Sequence, residues 1–146
     1  MHLWLRSESK IFEKRSPLTP DHAAQLIKRK HTVTVEKSRN RIYTTKEYEQ
    51  AGCTIAEQNE WQIAPEEAYI LGIKELPQEV PSFKHKHIYF AHVYKQQKDA
   101  YKILEKFQTG GGVLYDLEYL TNKDGQRVVS FGYWSGFSGA GIALLS

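Results

Sequence analysis

Two stretches, Ile70-Leu71-Gly72-Ile73-Lys74-Glu75 and Ile88-Tyr89-Phe90-Ala91-His92-Val93-Tyr94-Lys95, decide the fold. Each is a short apolar run, the pattern of a strand buried on both faces. Each is expected to end on a basic side chain that can exchange a proton, Lys74 in one and His92 in the other. A third run, Val113-Leu114-Tyr115-Asp116-Leu117-Glu118, ends on a carboxylate in the same way. Ligands of open α/β sheets sit in the crevice outside the carboxyl ends of the strands. Three strand ends bearing Lys74, His92 and Glu118 therefore read as one acid–base site.

Working outward, His2 to Arg6 reads as a first strand, followed by a polar loop to Pro17. Thr19-Pro20-Asp21 starts a helix, with Thr as N-cap, Pro at the first helical position and an acid in the first turn. That helix closes on the basic run Lys28-Arg29-Lys30. Thr32 to Val35 alternates as a strand, Thr45 is expected to cap a short helix ended by Gly52, and Cys53 to Ala56 is a short third strand. Trp61 is expected to pack between that strand and the next. Gln97 to Gln108 reads as a helix broken by Gly110-Gly111-Gly112, and Arg127 to Phe131 as a short β segment after a turn at Asn122 to Gly125. Small residues from Trp134 to Leu145 suit a closely packed helix. Strands alternating with helices predict an α/β domain over residues 1–146, a mostly parallel open sheet with helices on both faces.

Composition narrows the function classes. The net charge is +3 and the 20 basic residues are scattered among 17 acidic ones, without the basic stripe of a nucleic-acid binder. The densest basic cluster, Lys84-His85-Lys86-His87, reads as a solvated loop before a strand. One cysteine, Cys53, rules out a disulfide framework and a cysteine zinc site and fits a reducing, cytoplasmic setting. His85, His87 and His92 lack the carboxylate or cysteine spacing of a metal site. The N-terminus lacks a signal-peptide pattern, and no apolar run reaches the roughly 20 residues of a spanning helix, so no membrane partner is expected.

Motifs for other chemistries are missing as well. No Gly-x-Gly-x-x-Gly joins a strand to a helix, so there is no dinucleotide fingerprint. The triple glycine precedes a strand instead of opening a helix, which argues against a phosphate cradle. Gly136 to Gly141 fails as a nucleophile elbow because Ala140 stands where the last glycine belongs.

The ionisable residues have plain readings beside the functional ones. Lys74 can simply emerge into solvent along its stem, or be a partly desolvated amine acting as a base. Glu75 would then tune it. His92 can be a hydrogen-bonded core histidine or a proton-transfer group near neutral pH. Arg15, Lys95, Gln97 and Arg127 lie in or just beyond loops after strands, where an anionic-substrate pocket is conceivable.

A resemblance sharpens these readings. Phe12-Glu13-Lys14-Arg15-Ser16-Pro17-Leu18-Thr19-Pro20, Leu71 to Pro77, Tyr89 to Lys95, Leu114 to Leu120, Asp124 to Val128 and Phe131 to Gly139 run in family order and spacing. They resemble the N-terminal part of the NAD-dependent, L-lysine-forming saccharopine dehydrogenases, in the wider group of alanine dehydrogenase and transhydrogenase N-terminal domains. The resemblance implies a Rossmann-like or flavodoxin-like substrate domain and oxidation of saccharopine, with NAD and water, to lysine and 2-oxoglutarate. It implies that Lys74 is the base toward the secondary amine and His92 the acid–base group for water addition. Glu75 and Glu118 would tune those two, and Arg15, Lys95, Gln97, Arg127 and Phe131 would contact substrate. Gln126 stands where the family often has an NAD-contacting arginine.

The chain ends at Ser146, so the dinucleotide-binding domain is expected to be absent from it, supplied by another segment or a separate chain. The isolated chain is then expected neither to turn over nor to bind NAD tightly. Uncovered apolar residues from Trp134 to Leu145 would favour a homodimer or a partner chain. The alternative is a non-catalytic amino-acid-binding or partner-binding module derived from the same fold.

Overall fold

The structure, a computed structural model, describes residues 1–93, 99–130 and 132. It divides into two compact units, Met1–Asp116 and Leu117–Ser146. The expectations for Lys95, Gln97, Phe131 and the helix from Trp134 to Leu145 lie outside the described residues.

The first unit carries a six-stranded, all-parallel sheet. Its strands are β1 (His2–Leu5), β2 (Thr32–Glu36), β3 (Thr54–Ala56), β4 (Tyr69–Leu71), β5 (Lys86–Tyr89) and β6 (Val113–Asp116), with helices α1 (Pro20–Lys28), α2 (Thr45–Gln50) and α3 (Ala100–Gly110). The order across the sheet is β3-β2-β1-β4-β5-β6. Strand order therefore reverses between β1 and β4, and that is where a doubly wound sheet opens its ligand crevice.

Side-chain alternation builds two cores, one on each face. Leu3, Leu5, Val33 and Val35 pack with Ala23 of α1 and Tyr48 of α2. Trp4, Ile70 and Tyr89 pack with Trp61 and with Phe107 of α3. Trp61 stands in a short 3-10 turn, Glu60–Ile63, within this second core. Local signals set the helix ends. Thr19 caps α1, its hydroxyl accepting from the His22 N–H with Pro20 following. Thr44, rather than Thr45, caps α2 through a reciprocal capping box with Glu47. The triple glycine closes α3: Gly111 takes φ +70, and a Cβ on Gly110 or Gly112 would meet the Phe83 carbonyl oxygen at 2.3 or 2.2 Å. These glycines serve a helix end and a close backbone approach.

Besides the cap of α2, the sequence reading needs correction at several strand limits and segments. β4 stops at Leu71 and β5 at Tyr89, so Lys74 and His92 stand on the segments that follow, not on the last strand residues. β1 likewise ends one residue early, at Leu5, and β6 stops at Asp116, so Glu118 stands in the short 3-10 turn Leu117–Tyr119 and not on a strand end. Lys84 to His87 is no solvated loop: Lys86 and His87 belong to β5, and His85 and His87 are buried. Among the described residues, Arg127 to Phe131 forms no strand, only an isolated antiparallel bridge between Thr121 and Arg127.

Candidate functional site

At the reversal point the sheet comes apart unevenly. On the β1 side, backbone pairing ends with the Arg6 N–H donating to the Leu71 carbonyl at 3.0 Å. On the β5 side it continues, Gly72 N–H to Ile88 O at 3.0 Å and Phe90 N–H to Ile73 O at 3.2 Å. Side chains from the loop after β1 take over where backbone partners stop. The Glu8 carboxylate accepts from the N–H groups of Ile73 at 2.7 Å and Lys74 at 3.0 Å. The Arg6 guanidinium donates to the Lys74 carbonyl and to the Ser7 carbonyl, and lies 3.4 Å from Glu8. Gly72 leaves the room for this, since a Cβ there would stand 2.5 Å from Arg6 Nε.

The register Leu71↔Ile88 slips by one residue at the Phe90 N–H to Ile73 carbonyl bond, which sets Lys74 level with Phe90, two residues before His92. Both Lys74 and His92 are half-buried. His92 adopts φ +55, the left-handed region that a non-glycine residue occupies at a cost. Its ring stacks on Phe90, with centroids 6.2 Å apart. The neighbouring turn is fixed by the Asp116 carboxylate, which accepts from the Ala91 N–H at 3.2 Å.

Arg15 reaches the same crevice end from the β1–α1 loop. Buried Glu13 grips its guanidinium at 2.8 and 2.5 Å and accepts from its N–H at 3.0 Å. The Arg15 hydrogen bond holds the Glu13 carboxyl below its ordinary range against the opposing effect of burial, and the Lys74 charge adds a smaller pull in the same direction. Glu13 thus faces both cations. A half-exposed guanidinium held by a fixed carboxylate, with an amine and an imidazole on the segments after β4 and β5, can bind a carboxylate substrate and move protons on it.

Glu75 lines a cavity of about 990 Å³ with Leu76, Phe83, Tyr89, Ala91 and Ile103. The buried Tyr89 hydroxyl has no hydrogen-bond partner among the described residues, and burial raises its pKa. In the second unit, Glu118 is buried and accepts from Arg127 at 3.0 Å. Two residues assigned different roles by the sequence are thus each other's partners there. Arg6, Glu8, Glu13, Tyr89 and Asp116 were missed by the sequence reading. Only Glu13 carried a signal, an acid two positions from Arg15 inside a quoted motif.

The β1–α1 connection, Arg6 to Thr19, contains no glycine, and the α1 N-terminus is closed by the Thr19 hydroxyl. A dinucleotide pyrophosphate needs glycines at this first turn for close backbone approach, so the residues here do not fit NAD as its main holder. Among the described residues there is no cluster of three or more potential metal ligands, and no helix is long and apolar enough to cross a membrane.

Comparison with known proteins accords with this geometry. Residues 4–138 match the family described as alanine dehydrogenase/PNT, N-terminal domain, and the chain belongs to that family. It is 46% identical over 145 residues to the saccharopine dehydrogenase [NAD(+), L-lysine-forming] of Schizosaccharomyces pombe, covering 99% of this chain and 39% of that protein. It is 47% identical over 142 residues to the enzyme of the same name from Neurospora crassa, covering 97% of this chain and 38% of that protein. The rat mitochondrial alpha-aminoadipic semialdehyde synthase is 31% identical over 134 residues, 92% of this chain and 14% of that protein. The chain thus spans about two fifths of the saccharopine dehydrogenases, matching their N-terminal part. Among solved structures, a transhydrogenase from Sinorhizobium meliloti superposes with TM-score 0.67 at 17% identity, covering 84% of this chain and 36% of that one. An L-alanine dehydrogenase gives TM-score 0.67 at 19% identity, covering 85% and 34%. These two establish the Rossmann-like fold.

Proposed function

We propose that this chain supplies the substrate-binding and acid–base part of a saccharopine dehydrogenase-type reaction, in which saccharopine, NAD and water give lysine, 2-oxoglutarate and NADH. The observation that carries it is the opened sheet at the reversal point, where Lys74 and His92 follow the ends of the adjacent strands β4 and β5. Lys74 takes the proton of the substrate's secondary amine as that amine is oxidised to an imine. His92 takes a proton from the water that adds to the imine carbon. It gives that proton to the carbinolamine nitrogen and takes up the hydroxyl proton as the C–N bond breaks, leaving the lysine amine and the ketone. Glu75 and Glu118 tune these groups, while Arg15, Lys95, Gln97, Arg127 and Phe131 contact the substrate. NAD is held by a separate nucleotide-binding domain, a reading supported by the glycine-free first turn of this one.

The test is turnover in the assembled enzyme, this chain together with its nucleotide-binding domain. Lys74→Met keeps the stem and removes the base, and His92→Gln keeps polarity without proton transfer. Each should lower kcat roughly 10²–10⁴-fold while saccharopine still binds. Near wild-type turnover in both would reject the assignment.

A further inference from the structure

We infer that Glu8 and Arg6 are positioning residues for Lys74, a buried clamp that fixes the backbone from which the amine is presented. The inference rests on Lys74 acting as the base. Lys74 lies past the end of β4, where a strand would normally be held by ladders on both sides. Only the β5 side is so held, up to Ile73. On the crevice side the N–H groups of Ile73 and Lys74 need an acceptor that is neither strand nor freely exchanging water. The two oxygens of Glu8 supply it at 2.7 and 3.0 Å, one to each N–H. Arg6 completes the clamp on the Lys74 carbonyl. Both backbone polar groups of Lys74 are thus bound by one ion pair, whose side chains are 1% and 8% exposed.

Burying such a pair is costly in desolvation and adds little to stability compared with apolar packing. Its hydrogen-bonding capacity is directed at the peptide groups around Lys74. The fold also makes room for it, because any side chain at residue 72 would collide with the guanidinium. A carboxylate's paired, rigid oxygens suit two adjacent N–H groups, whereas a loop left to water would let the amine wander. Misplacement of a reacting group by about 1 Å costs on the order of 10²-fold in rate.

The experiment is a double-mutant cycle in the assembled enzyme, with kcat and KM for saccharopine measured for Glu8→Ala, Lys74→Met and the combined variant. Glu8→Ala is expected to lower kcat roughly 10- to 100-fold and to move KM far less. The combined variant should be no slower than Lys74→Met alone, because a clamp has nothing left to position. Wild-type kcat in Glu8→Ala would overturn the clamp, as would losses that multiply in the combined variant. Undiminished turnover in Lys74→Met would instead reject the proposed function itself. If Glu8→Ala fails to fold, Glu8→Gln replaces it in the cycle. Its carbonyl accepts one N–H while its amide opposes the other, so the same loss of kcat and the same non-additivity are expected.

Discussion

β5 holds histidines in two settings, and the contrast between them separates packing from chemistry. His85 and His87 belong to the buried approach and interior of the strand. His92 follows the strand's end, half-buried, in a left-handed backbone conformation. His87 is boxed by Trp61, Phe83 and Phe107, with ring centroids 5.3, 5.5 and 5.4 Å away, and neither of its nitrogens has a hydrogen-bond partner among the described residues. It behaves as an aromatic filler. The same residue type, a few positions on, stands past the end of β5, as Lys74 stands past the end of the neighbouring β4. What a titratable side chain does here depends on whether the sheet has ended and whether the position is sealed.

Glu36 offers the sharpest way to break that comparison, because it ends β2 yet is completely buried. Its carboxylate accepts from Trp4 Nε1, the Ser7 N–H and hydroxyl, and the N–H groups of Asn59 and Trp61. Removing it strands several buried donors, each costing about 1–3 kcal/mol. Glu36→Ala is therefore expected to lose about 4 kcal/mol or more of stability in denaturant melts. A loss below about 1 kcal/mol would show that this sealed strand end is not the structural hub its hydrogen bonds describe.

His87 gives the next largest effect. Burial, then the neighbouring His85 and Arg6 charges, lowers its pKa from 6.5 to about 3. The folded state disfavours the proton, so this contribution is intact above pH 6.5 and is lost as pH falls toward about 3. At about 1.4 kcal/mol per unit, roughly 2 kcal/mol should be gone by pH 5. His87→Phe should flatten the stability profile between pH 7 and 5 while leaving turnover near wild type. An unchanged slope would place the acid sensitivity elsewhere, and a large loss of turnover in a folded protein would erase the distinction between the two histidine settings.

Much of this arrangement was legible in the sequence, and the reasons are local. Thr19-Pro20 fixed the start of α1, apolar runs marked the strands, and strand–helix alternation pointed to a parallel sheet. The strand ends were not legible, because their limits depend on residues far away in the chain. Gly72-Ile73-Lys74 looks like more strand, but Glu8, some 65 positions earlier, takes its N–H groups and Arg6 occupies the space beside Gly72. Lys84-His85-Lys86-His87 misled through its charge density. Its period-two pattern, with Lys84 and Lys86 more exposed and His85 and His87 buried, was the strand signal available. The pairing of Glu118 with Arg127 could not be read from either residue alone, since it depends on the turn in which the Asn122 side chain accepts from the N–H groups of Asp124 and Gln126.

The account's central claim is that the Lys74 amine transfers the substrate proton, and chemical rescue measures this most directly. Lys74→Ala in the assembled enzyme should lose roughly 10²–10⁴-fold in kcat. At saturating saccharopine and NAD, small primary amines should restore part of that rate in proportion to their free-base concentration. Turnover near wild type in Lys74→Ala without added amine would contradict the claim.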